Sequence, residues 1–103
     1  MHEAVGALLE VLRAYLERRG DVVIPTARAA GQGRLKIAFR GLYRSIPDWL
    51  GYERLQDIIE EITGSSEALS DLESLGVRIV EVDGEPYLEV PLGLLERLRA
   101  GGG

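Results

Sequence analysis

Residues 77–90 read Val-Arg-Ile-Val-Glu-Val-Asp-Gly-Glu-Pro-Tyr-Leu-Glu-Val. Two apolar-rich runs flank Asp83-Gly84, a dipeptide that readily takes positive φ at both central positions of a type I′ turn. A two-residue loop sets the register, so Val82 faces Glu85, Val80 faces Tyr87 and Arg78 faces Glu89. Val77, Ile79, Leu88 and Val90 share the opposite face, which is wholly apolar and so belongs to the core. The first face is mixed and only partly covered. Pro86 falls at a non-hydrogen-bonded position of the pair, with its missing N–H pointing away from the partner strand. That places a sheet edge near residue 86.

Working outward, Arg34–Arg40 also alternates, with Leu35, Ile37 and Phe39 on one side and Arg34, Lys36, Ala38 and Arg40 on the other. This period of two predicts a half-buried strand. Asp21–Pro25 is a further β-rich run, and Ala27–Gly33 reads as a loop between the two. Residues 3–19 carry Val5, Leu8, Leu9, Leu12, Tyr15 and Leu16 at helical spacing, with Gly20 as the stop. Residues 41–50 are irregular or one short helical turn, broken by Pro47. Residues 52–63 form a second helix through Leu55, Ile58, Ile59 and Ile62, ended by Gly64. Ser65 caps a third, short helix carrying Leu69, Leu72 and Leu75, and Gly76 ends it. Leu92, Leu94, Leu95 and Leu98 suggest a final short helix. The fold class expected is therefore α+β, with a small antiparallel sheet of about four strands and about four helices packed on it. Residues 1–100 make one domain, and 101–103 are a flexible glycine tail.

The chain has 103 residues, 28% of them charged and 46% hydrophobic, an ordinary balance for one globular domain. Without cysteine there are no disulfides and no thiolate metal sites. Met1–Leu12 lacks the basic start and apolar run of a signal peptide, and no stretch is apolar enough to span a bilayer. A cytoplasmic protein with no membrane partner is expected. So small a core, with an apolar stripe on the first helix and a leucine-rich last one, favours a homo-oligomer.

Catalysis lacks its usual residues. His2 is the only histidine and lies at the terminus, and no carboxylate pair stands out as general acid and base. No enzyme activity, metal or cofactor is expected. Gly31-Gln32-Gly33 lacks both the third glycine and the Gly-Lys ending of a phosphate loop, and it leads into a strand; it reads as a hairpin loop.

Charge is distributed unevenly. The net charge is −5, yet residues 26–51 hold Arg28, Arg34, Lys36, Arg40 and Arg44 against Asp48 alone, a net of +4. Residues 52–103 hold 12 acids and four bases. Four of the six aromatic residues, Phe39, Tyr43, Trp49 and Tyr52, lie within 28–54, interleaved with those bases and Arg54. Single-strand binding needs both components, cations to follow the phosphates and aromatic faces to stack on bases. The candidate interface is thus Arg28, Arg34, Lys36, Arg40, Tyr43, Arg44, Trp49 and Tyr52, with single-stranded DNA or RNA as partner. Alternatively, Phe39 and Trp49 belong to the core and the arginines pair with the acidic half.

Residues 52–90 also suit a winged helix, as two helices followed by a two-stranded wing. Its recognition helix would be 65–76, which carries three acids and no base and would be repelled by duplex phosphates. This alternative is a protein-interaction module with no nucleic-acid ligand.

The strand-loop-strand of 21–40, the Ile46-Pro47-Asp48-Trp49-Leu50 segment, the helices after it and the last hairpin together resemble, in outline, the archaeal ThermoDBP-related proteins. That resemblance implies a four-stranded antiparallel sheet with helices packed on it, and binding of single-stranded DNA or RNA.

Overall fold

A computed structural model describes residues 1–101, and its architecture is α+β. The order is α1 (Glu3–Ala29), β1 (Arg34–Ala38), α2 (Phe39–Leu42), 3-10 turns at Tyr43–Ser45 and Asp48–Leu50, α3 (Leu55–Thr63), α4 (Ser66–Ser74), β2 (Arg78–Val82), β3 (Glu85–Pro91) and α5 (Leu92–Ala100). Of the tail expected at 101–103, Gly102 and Gly103 lie outside the described residues.

The hairpin has the expected register, with Val82 opposite Glu85, Val80 opposite Tyr87 and Arg78 opposite Glu89. Asp83 and Gly84 have φ of 53° and 79°, as a type I′ turn requires. Val77, Leu88 and Val90 are buried and Ile79 packs against them. β1 joins the far side of β3, giving an antiparallel sheet in the order β1-β3-β2. β3 is therefore central and not an edge. The pairing of β1 stops at Tyr87, so Pro86 turns its missing N–H toward the space just past the end of β1.

The helix expected at 3–19, the strand at 21–25 and the loop from Ala27 give way to one 27-residue helix. The buried positions Leu16, Gly20, Ile24 and Ala27 continue the apolar stripe of Leu8 and Leu12 at helical period. Burial of that stripe against α5 outweighs the β preference of Val22 and Val23, a modest term per residue. Gly20 is not the stop. A Cβ there would lie 3.3 Å from the Arg99 side chain, so the glycine admits α5 at close range. Arg99 donates to the Gly20 carbonyl and pairs with Asp21, while Arg28 pairs with Glu96. Pro25 lies within the helix, where the Thr26 hydroxyl donates to the Val22 carbonyl at 2.6 Å. The helix ends at Ala29, and just beyond it Gly31 takes φ 71°, where Gln32 N–H reaches the Ala27 carbonyl and Gly31 N–H that of Arg28. Gly31–Gly33 is accordingly a helix-to-strand connection, not a hairpin loop.

Losing the strand at 21–25 leaves three strands among the described residues where about four were expected, and α2 brings the α-helices there to five. The four-stranded sheet implied by the ThermoDBP-related outline is not formed. The remaining helices follow the sequence closely. Ser65 Oγ accepts from Ala68 N–H at 3.2 Å to cap α4, and Leu92, Leu94, Leu95 and Leu98 of α5 are all buried. Leu8 and Leu12 of α1 meet Leu42, Leu55, Ile58, Ile62, Leu88 and Leu95 in one core. No helix among the described residues is long and apolar enough to cross a membrane.

Candidate nucleic-acid interface

The eight candidate residues do not share one face. Arg34 and Lys36 project from β1 onto the open face of the sheet, beside Glu89 of β3. Arg40 does not join them. The strand ends at Ala38, so Arg40 falls on α2, where it pairs with Glu85 at 3.1 Å. Arg28, on the last turn of α1, pairs with Glu96 of α5.

Glu89 dominates the open sheet face. It is only 8% exposed and lies 2.8 Å from Arg78 and 3.3 Å from Arg34, with Lys36 directly opposite on β1. Arg34 also donates to the Gly76 carbonyl at 2.8 Å. The hydrogen bond from Arg78, then the charges of Arg78, Arg34 and Lys36, hold the Glu89 carboxyl below its usual range despite the opposing effect of burial. Since its folded pKa is depressed, its contribution to stability is present above the unfolded carboxyl pKa, about 4.3. That contribution is lost as pH falls through the folded value. Glu89→Gln is therefore expected to lower the melting temperature at pH 7, with the gap to the wild type closing at strongly acidic pH. A constant gap across the acid range would contradict this account. For nucleic acid the consequence is negative, because two of the cations on this face already serve a carboxylate.

The aromatic candidates are arranged differently. Ile46 and Leu50 pack against the core and anchor the 43–50 segment. Between them the 3-10 turn at Asp48–Leu50, closed by the Leu50 N–H to Pro47 carbonyl bond and by Gly51 at φ 87°, turns Trp49 outward. Trp49 is 71% exposed and Tyr43 56% exposed, so neither is core. Phe39, by contrast, is buried in the core. Tyr52 is half-buried and donates to Glu61. That bond, burial and the charges of Glu61 and Glu3 push its hydroxyl up to about 12. It is a structural tie between the 51–54 loop and α3.

Trp49 stands at an open groove of about 300 Å³ between α1 and the 44–49 segment. Arg13 and Arg18 of α1 and Arg44 line it, together with Glu10 and Glu17. Arg18 bridges the two walls by donating to Ser45 Oγ at 2.8 Å. Arg13 and Glu10 form a 3.4 Å pair. Among the described residues Arg44 and Glu17 have no ion-pair or hydrogen-bond partner. On the other side of Ile46, Tyr43 lines a second groove with Arg54, which is itself paired with Asp57 at 2.9 Å. The sequence reading missed Arg13 and Arg18, although a signal existed. Glu10, Arg13, Ala14, Glu17 and Arg18 recur at the spacing of one helix face, opposite the apolar stripe.

Among the described residues no cluster of histidine, aspartate or glutamate side chains could hold a metal ion. Compared with protein-family models, curated proteins and solved structures, the chain shows no significant match to any of them.

Proposed function

We propose that this protein binds single-stranded nucleic acid in the groove between α1 and the 44–49 segment. The observation that carries the reading is the placement of Trp49. The only tryptophan in the chain presents its ring to solvent at the mouth of a groove lined by three arginines. A tryptophan of the core would be largely covered. An indole face beside guanidinium groups supplies both parts of single-strand recognition, a stacking platform and cations for the backbone. Arg44 is the principal phosphate contact, since among the described residues no carboxylate is paired with it. Tyr43, across Ile46, is a second platform along the same path. The sheet face keeps a lesser role through Lys36. The acidic α3–α4 side disfavours duplex, whose charge density is higher.

A fluorescence-anisotropy titration with labelled single-stranded and duplex oligonucleotides at two salt concentrations tests this. Single strands should bind more tightly, with a log–log salt slope of roughly −0.7 per phosphate contacted. Arg44→Ala should flatten that slope. Equal binding to duplex, or none to any single strand from folded protein at low salt, overturns the proposal.

A second reading has its own support. The strand order β1-β3-β2, with α4 running directly into the β2–β3 hairpin, is the arrangement of a winged helix. α4 carries Glu67, Asp71 and Glu73, and Leu69 on it is 41% exposed. Such a helix suits a protein partner better than a phosphate backbone, and a pull-down is its test should nucleic acid fail to bind.

A further inference from the structure

We infer that Glu17 makes the Trp49 groove selective for guanine; this rests on the single-strand reading above. The groove's charges are not equally engaged. Glu10 is taken by Arg13, and Arg18 is committed to Ser45. That leaves Arg44 and Glu17 on opposite walls with no partner among the described residues, and the exposed Trp49 ring beside them. Arg44 suits a phosphate. Glu17 cannot face one, because a carboxylate beside a phosphate is repelled.

An ionised carboxylate is an acceptor only, with two oxygens that can take two parallel donors at once. In a groove that stacks bases, those donors come from the edge of the stacked base. Guanine is the standard base whose Watson–Crick edge offers two adjacent donors, N1–H and the N2 amino group. Adenine and cytosine offer one amino group beside an acceptor nitrogen, which a carboxylate repels. Thymine and uracil offer a single N–H between two carbonyls. Glu17 stands on the α1 wall of the groove and Arg44 on the other, so a base stacked on Trp49 with its sugar-phosphate at Arg44 would meet Glu17 with its edge.

The test uses the full chain and short oligothymidine strands, either unsubstituted or carrying one interior guanine, hypoxanthine, adenine or cytosine. A single interior guanine suffices, since the strand can slide to seat it. The guanine strand should bind roughly tenfold more tightly than oligothymidine, at the low end of a bidentate base contact. Hypoxanthine lacks the N2 amino group and should lose most of that gain. Glu17→Gln should abolish the guanine gain while binding oligothymidine more tightly, because a negative charge that repels any polyanion entering the groove has been removed. Those opposed shifts are not the signature of a damaged fold. If all the strands bind within about twofold of one another, or if the guanine gain persists in Glu17→Gln, the selectivity is refuted and single-strand binding stands. If the wild type binds none of the strands, both fall together.

Discussion

Leu12→Ala should destabilise the protein by about 2–5 kcal/mol, the range for removing a fully buried leucine. Leu12 is 0% exposed, midway along α1, in the core shared with α3, α5 and the sheet. Domains of this kind are stable by only about 5–15 kcal/mol, so much of the total is at stake. The melting temperature should fall by roughly 10 °C or more, at about 4–8 °C per kcal/mol in a domain near this size. Thermal unfolding followed by circular dichroism reads the change. The informative companion is Val22→Ala. Val22 lies on the exposed side of α1, where alanine is the better helix former, so the substitution should stabilise by a few tenths of a kcal/mol. A strand at 21–25 would respond in the opposite sense. A loss of stability in Val22→Ala would therefore contradict the continuous helix.

Trp49→Ala should weaken single-strand binding by about 1–3 kcal/mol, the usual cost of removing a stacking aromatic. Stability should change little, because the ring is mostly in solvent. The salt slope should also be nearly unchanged, since stacking releases no counterions, whereas Arg44→Ala should flatten it. These two variants separate the two components of the interface. Unaltered binding in both would move the site away from the α1 groove, leaving Lys36 on the sheet face as the next candidate.

The parts of the fold legible in the sequence were those set by local chemistry. Asp83-Gly84 admits one turn and hence one register, and Ser65 and Gly76 bracket α4. The long first helix was hidden because two local signals, Gly20 and the β-branched run Val22-Val23-Ile24, both point to an ending. What overrides them is tertiary. α5 returns some 80 residues later to lie on Gly20, and its Arg99 serves the Gly20 carbonyl and the Asp21 carboxylate. The period joining Leu16, Gly20, Ile24 and Ala27 was nevertheless present and is the stronger signal. For the site, composition identified the basic, aromatic segment but not which of its charges are engaged. Arg28, Arg34 and Arg40 pair with Glu96, Glu89 and Glu85, all of them residues from the acidic half. No count of charge along 26–51 reveals that pairing. Arg13 and Arg18 lay outside the segment and reach the site only because α1 runs beside it.

The most direct test of the central claim is the intrinsic fluorescence of Trp49 during titration with an unlabelled single strand. With one tryptophan in the chain, the signal reports that ring alone. If bases stack on it, its emission should be quenched, saturating over the same concentrations as the anisotropy change. Binding detected by anisotropy with no change in Trp49 emission would contradict the account.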